Sequence, residues 1–239
     1  MQNLDQVWVY LSSSPLLHLT MTLVAYQCSQ WVYARSGMNP LLNPVLLTIV
    51  LIVAVLVLTD TSYSAYFEGA QFVHFLLGPA TVALAVPLYR QFDKVRRSAL
   101  AISVSIVLGS LTASVSAVAI AALLGASEST LASLAPKSVT TPVAMGISEQ
   151  LGGLPSLTAI MVIVTGIVGA MLGPLVLSLL GVRNMAARGL AMGTASHGIG
   201  TARAMQVNEV AGAFSGLAMG INALATALLL PVLWALFFG

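Results

Sequence analysis

Residues 141–157 read TPVAMGISEQLGGLPSL, and residues 201–217 read TARAMQVNEVAGAFSGL. When the two stretches are aligned, identical residues fall at Thr141/Thr201, Ala144/Ala204, Met145/Met205, Glu149/Glu209, Gly152/Gly212 and Leu157/Leu217. Each stretch overlaps the end of a polar segment that proline or glycine interrupts, PKSVTTP at 136–142 and GTASHGIGTAR at 193–203. Interrupted segments at corresponding positions of two repeats are the sequence feature that best indicates a binding site in membrane transporters.

The composition predicts an all-α polytopic membrane protein. Apolar residues make up 58% of the 239 residues and charged residues only 7%, whereas a soluble domain carries about 25% charged residues. The net charge of +2 comes from few, scattered residues and gives no indication of nucleic-acid binding. The single cysteine, Cys28, excludes an intramolecular disulfide and a cysteine-only metal site.

Six stretches are long and apolar enough to span a membrane as helices, which takes roughly 20 residues. They are residues 15–34, 41–59, 70–90, 99–124, 155–180 and 211–237. Two further segments, 128–151 and 189–208, have sufficient length, but polar residues, glycine or proline break each of them in the middle.

The distribution of basic residues predicts the orientation, because cytoplasmic loops are enriched in Lys and Arg. The cluster from Arg90 to Arg97 places the loop after the third span in the cytoplasm and the N-terminus outside. If segment 128–151 crosses, Arg183 and Arg188 fall outside; if it is a re-entrant hairpin, they fall inside. We therefore favour six spans plus two re-entrant hairpins arranged as inverted repeats; the alternative is eight crossings with two unwound helices.

This layout predicts two domains. Residues 1–98 form N-terminal helices with a scaffold or oligomerisation role, and residues 99–239 form a core. The core contains two broken-helix repeats, 128–180 and 189–239.

The hairpin tips are the predicted binding site. Thr141 before Pro142, and Thr201 before a helical run, are typical of N-caps. Two half-helices starting at the membrane centre would point their N–H groups and positive dipole ends at one volume, which favours an anion. Lys137, His197 and Arg203 supply positive charge or hydrogen-bond donors. The predicted substrate-binding residues are Lys137, Ser138, Thr140, Thr141, Ser196, His197, Gly198, Thr201 and Arg203.

Glu149, Glu209 and His197 are the candidates for coupling transport to a proton, because they are the titratable groups near the repeats. An enzyme is not expected. Ser196 and His197 are adjacent in sequence, and no acidic residue is spaced to orient the histidine as in a hydrolase. No metal-ligand spacing or nucleotide-binding motif is present, so we expect no metal and no cofactor.

The motifs PKSVTTPVAMGISEQLGG at 136–153 and RGLAMGTASHGIGTARAMQ at 188–206 resemble the LrgB/CidB family of bacterial membrane proteins. The similarity extends to PLLNPVLL at 40–47. The resemblance implies a multi-pass protein of the cell inner membrane. It also implies one of two roles. The first is transport of short monocarboxylates, which are glycolate and glycerate in plastid relatives and pyruvate in bacterial ones. The second is that of a holin/antiholin-like regulator of murein hydrolase export and cell lysis.

The resemblance further implies a small LrgA/CidA-type membrane partner, and we expect a homo-oligomer. Transport is the preferred function because duplicated polar hairpins with cationic tips suit a small carboxylate, whereas a holin requires only an oligomerising span.

Overall fold

The computed structural model describes residues 15–39, 42–76, 79, 82–83 and 85–238, and within these ranges the chain is helical without strands. The helices are α1 (Pro15–Arg35), α2 (Pro44–Leu58), α3 (Tyr63–Phe75), α4 (Ala85–Arg90), α5 (Phe92–Arg97), α6 (Ala99–Leu123), α7 (Glu128–Leu134), α8 (Thr141–Gln150), α9 (Pro155–Leu179), α10 (Met185–Val207) and α11 (Glu209–Phe238). They confirm the predicted all-α class. The chain divides into two compact units, residues 1–83 and 84–239. The predicted division of roles at residue 98 stays a prediction.

The first unit packs α2 and α3 against α1. The Asn43 side chain caps α2 by accepting hydrogen bonds from the N–H groups of Val45 and Leu46. Gly69 lets α3 approach α1 closely, because a methyl group there would collide with the carbonyl of Pro15. Helices α1 and α2 lie at the first two predicted spans, but α2 has only 15 residues and α1 is not among the helices apolar enough to cross a membrane. Part of the third predicted span, 70–90, lies outside the described residues.

The second unit is built on α6, α9 and α11, which have 25, 25 and 30 residues. Among the described helices these three are long and apolar enough to cross a membrane. At 1.5 Å per residue, even the shorter ones reach about 37 Å, which exceeds a hydrocarbon core of about 30 Å. They confirm the last three predicted spans to within two residues at each end.

Helices α7 and α8 form a hairpin, as predicted for segment 128–151. The N–H of Leu154, after α8, donates to Oγ of Ser133 in α7 at 2.8 Å. Gly153 lies so close to the backbone of Ala132 and Ser133 that a methyl group would not fit. The chain therefore turns back on itself between these residues, because in a continuous helix residues 133 and 154 would lie about 30 Å apart.

Helix α10 is also a hairpin, because its backbone reverses at His197, which has φ 41° and ψ −132°. Gly200 packs against the carbonyl of Met192, and Met192, Ala204 and Ala211 form one buried cluster. In a straight helix, residues 192 and 200 would be about 12 Å apart along the axis. The two halves, 185–196 and 198–207, therefore lie side by side.

The two hairpins enter the second unit from opposite ends. Ile102 and Ile106, near the start of α6, pack with Phe214 and Ala218, near the start of α11, and with Leu190 of the second hairpin. At the other end, the first hairpin contributes Ala135 and Ile147 to a cluster with Leu230, against which Val118 and Trp234 pack. Helices α6 and α11 are thus parallel. The two repeats, each a hairpin followed by a long helix, have opposite orientations.

The register of the repeat differs from the sequence alignment. The short half-helices begin at residues 141 and 198, and the following long helices at 155 and 209. Glu149 lies in the last turn of α8, whereas Glu209 is the first residue of α11. The pairing of Thr141 with Thr201 therefore does not relate equivalent positions, because the architecture repeats without one constant offset.

Single-cysteine labelling tests this topology in whole cells, in a Cys28→Ser background. Ser98→Cys and Met185→Cys should resist a membrane-impermeant maleimide, whereas Gln150→Cys should react, because both hairpins return to their side of entry. All three positions are exposed at helix ends. Labelling of Met185→Cys together with protection of Gln150→Cys would mean that segment 128–151 crosses the membrane.

Candidate functional site

The first tip consists of residues 135–140, between α7 and α8. Thr140, with φ −65° and ψ 146°, occupies the N-cap of α8, and Pro142 lies at the helix start. The predicted cap, Thr141, is instead the first helical residue, and the Thr140 side chain makes no capping hydrogen bond. The start of the helix was predicted correctly from Pro142, which lacks an N–H that a helix start would leave unpaired.

The second tip is His197, and the prediction that Thr201 caps the following half-helix is wrong. Thr201 lies one turn inside that half-helix, where its Oγ1 donates to the carbonyl of His197 at 2.8 Å. The same hydroxyl is hydrogen-bonded to Oγ of Ser215 in α11 at 2.9 Å. A positive φ at a residue other than glycine costs of order 1–3 kcal/mol and persists only where the surroundings impose it.

Asn222 of α11 joins the two hairpins. Its Nδ2 donates to the carbonyl of Ser138 in the first tip at 3.2 Å and to the carbonyl of Thr194, just before the second tip, at 3.1 Å. Asn222 is only 1% exposed. Because one amide nitrogen serves both carbonyls, the two tips lie close together at the middle of α11.

His197 and Ser196 pack against a glycine-rich face of α9. The carbonyl of Val162 accepts a hydrogen bond from Nε2 of His197 at 2.9 Å. A methyl group at Gly166 would strike the His197 ring, and one at Gly169 would strike Oγ of Ser196. Val162 also packs with Val139 of the first tip, so α9 contacts both tips.

Comparisons with known proteins identify the family of this chain. The LrgB-like family profile matches residues 22–236. The chain is 37% identical over 220 residues to the Bacillus subtilis "Uncharacterized protein YxaC", covering 92% of this chain and 95% of the relative. It is 34% identical over 223 residues to the Staphylococcus epidermidis "Holin-like protein CidB", covering 93% and 97%. No solved structure matches.

The chain belongs to the LrgB family. With its long apolar helices, this membership identifies a multi-pass membrane protein. The LrgB family is not a known enzyme family, and in the described part of this chain no three His, Cys, Asp or Glu side chains are grouped to hold a metal ion.

Lys137 is a cationic side chain within the first tip. It is half-buried, and its Nζ donates to Oγ of Ser138 at 3.4 Å. The ion pair found in the described ranges joins Arg90 to Glu209, the first residue of α11, which lies about 20 Å along the helix from Asn222. Among the described residues, no carboxylate pairs with Lys137 at the tip.

The other predicted binding residues differ in their accessibility. Thr140 and Thr141 are half-buried and Gly198 is exposed, whereas Ser138, Ser196, His197 and Thr201 are buried. Arg203 lies six residues beyond the break, about 9 Å along the helix. There it lines a small cavity together with Arg188 and contacts Gln206 at 3.4 Å. The structure therefore brings Lys137 to the tips but not Arg203.

The two glutamates lie away from the tips. Glu209 accepts a hydrogen bond from Arg90 at 3.0 Å, with both side chains largely exposed. Glu149 is exposed at the end of α8. The sequence argument overlooked Asn222, although it is the one Asn in α11, and a polar side chain within an apolar span is itself an indication of function.

Replacing Asn222 with leucine, which has the same number of side-chain non-hydrogen atoms but no amide, should destabilise the second unit. The carbonyls of Ser138 and Thr194 would lose their donor, at about 1–3 kcal/mol for each buried group left unpaired. Thermal unfolding in detergent measures the effect. Thr226→Val, which removes the buried Ser110–Thr226 hydrogen bond on the same helix, is the matched control and should cost less. An equal melting temperature for the two variants would contradict a joining role for Asn222.

Proposed function

We propose that this LrgB-family protein is a secondary transporter of small monocarboxylate anions, of the glycolate, glycerate or pyruvate type, across the inner membrane. The supporting observation is the meeting of two broken helices at Asn222, between α9 and α11. Half-helices that begin near the middle of a membrane protein are the usual means by which transporters bind an anionic group.

The binding site in this proposal lies where α8 and the second half of α10 begin. Unpaired N–H groups and the positive dipole end at each start attract a carboxylate. Lys137 supplies a full positive charge at the first tip, and Gly198 leaves room for close approach at the second. The proposed set at the tips is completed by Ser138, Thr140, Thr141, Ser196, His197 and Thr201. Arg203 is proposed as a further ligand, although it lies about 9 Å beyond the second tip.

Transport in this proposal follows alternating access or an elevator-like movement. The core moves the site between the two membrane faces against a scaffold formed by residues 1–98. The substrate gradient or a coupled ion drives the movement, and Glu149, Glu209 and His197 are the groups proposed to carry a coupling proton. Homo-oligomers would provide a larger fixed scaffold.

A second candidate is a holin/antiholin-like regulator of murein hydrolase export and cell lysis. The relatives named "Holin-like protein CidB" in Staphylococcus epidermidis and Staphylococcus aureus favour it. A small LrgA/CidA-type membrane partner belongs to this alternative and is equally compatible with transport.

Proteoliposomes containing the purified chain separate the two functions. A transporter should take up labelled glycolate or pyruvate with saturation and should retain an encapsulated dye of unrelated chemistry. Dye release together with unsaturable uptake would instead favour a holin-like pore. A second preparation containing the small partner tests whether transport requires it.

Lys137→Gln should weaken substrate binding in this assay. Loss of a charge-assisted hydrogen bond costs about 1.5–3 kcal/mol, which is roughly tenfold or more in the apparent KM. Arg183→Gln removes the same charge from an exposed loop and should leave the KM unchanged.

The variant Arg203→Gln tests the other proposed cation in the same uptake assay. Because Arg203 lies about 9 Å from the break, its replacement should change the KM less than that of Lys137. Unchanged KM values for both variants, at equal protein levels, would exclude these side chains as carboxylate ligands.

A further inference from the structure

A groove runs along the second unit between α6 and the first half of α10. Its outer part, next to Lys94 and Arg97, has a volume of about 380 Å³. Its inner part, next to Thr194 and Ala195, has a volume of about 340 Å³. Ser105, Ala187 and Leu190 line both parts, so the two cavities adjoin along the same pair of helices. The groove extends from Ser98 to Ala113 on α6, a distance of about 22 Å at 1.5 Å per residue.

Two cations lie at the outer end of the groove. Lys94 and Arg97 line it from α5, one turn apart and therefore on the same face of that helix. Both side chains are exposed, and within the described ranges neither forms a hydrogen bond or an ion pair. Ser98 and Asn184 add polar groups at the same end. The nearby acid, Asp93, lies on α5 but does not line the groove.

The remaining walls are mainly apolar. Ile102, Ile106, Leu190, Phe214 and several alanines line them, Ser105 and Thr194 are the polar exceptions, and Gly109 approaches Thr194 closely in the inner part. A hydrated anion gains nothing from such walls, whereas a hydrocarbon chain fills them. The length exceeds the roughly 15 Å of one leaflet, half of a 30 Å core, and so accommodates a headgroup region as well.

We propose that this groove binds one anionic glycerophospholipid, with its phosphate between Lys94 and Arg97 and an acyl chain along α6 and α10. Charge complementarity at one end and apolar walls along the rest match the two parts of that molecule. Basic pockets between membrane helices bind anionic headgroups in this way. The acyl chain contacts Ala191, Thr194 and Ala195, immediately before the break at His197, so the lipid supports the second hairpin.

The test uses the purified full chain and two lipids, dioleoylphosphatidylglycerol and zwitterionic dioleoylphosphatidylcholine. Native mass spectrometry of a lipid titration counts the bound molecules. The wild type should bind one phosphatidylglycerol in preference to phosphatidylcholine. Replacement of both Lys94 and Arg97 by Gln should weaken this binding at least tenfold, since each cation contributes roughly fivefold near an anionic headgroup.

Arg96→Gln is the matched control, because Arg96 is exposed on the same helix but does not line the groove. It should change binding less than twofold. Ala187→Phe, which fills the groove, should weaken phosphatidylglycerol binding, whereas Ala202→Phe on the exposed face of the second half of α10 should not. Size-exclusion profiles establish that each variant is folded.

Three results would overturn the proposal. Equal losses for Arg96→Gln and the double variant would mean a diffuse surface attraction. Equal binding of both lipids would exclude headgroup recognition. Competition by glycerophosphoglycerol, which lacks acyl chains, at the same concentration as the intact lipid would mean a free-phosphate site rather than a lipid site.

Discussion

The amide of Asn222 is the interaction on which the second unit depends, because it donates to backbone carbonyls in both hairpins. A broken helix exposes peptide groups that the helix would otherwise pair, and lipid offers them no partner. Each unpaired group in hydrocarbon costs several kcal/mol. The hairpins can therefore lie in the interior of the protein only where a neighbouring helix supplies donors and acceptors. Helix α11 supplies the donor, and the Val162 carbonyl of α9 supplies an acceptor for His197.

Close packing of small residues makes these hydrogen bonds reachable. Gly166 and Gly169 of α9 leave room for the His197 ring and the Ser196 side chain. Gly193 lies against the carbonyl of Ser215 in α11. Membrane helices associate through such close contacts, since lipid tails remove the hydrophobic driving force between them. A larger residue at any of these glycines would push the second hairpin away from the helices that satisfy its backbone.

The sequence predicted the three long spans of the second unit well and the interior contacts poorly, for a physical reason. A run of about 20 apolar residues is a local property, so α6, α9 and α11 could be placed to within two residues. Pro142 likewise located the start of α8 locally. The second tip contains no proline, and the sequence placed the start of the half-helix after it one turn too late, at Thr201 instead of directly after His197. Asn222 acts on carbonyls 84 and 28 residues away, which no local pattern reveals.

The shared amide also constrains how a transporter of this kind would open. If one hairpin moves away from α11, its carbonyl loses the Asn222 donor, and only water or substrate can replace it. Water reaches the tips only from the membrane face on which that hairpin opens, since the hairpins enter from opposite ends. The hairpin that faces the closed side keeps its hydrogen bond, because its carbonyl would otherwise be buried without a partner. Opening at both faces together would break both hydrogen bonds that Asn222 donates. The hydrogen-bond requirement thus favours opening at one face at a time.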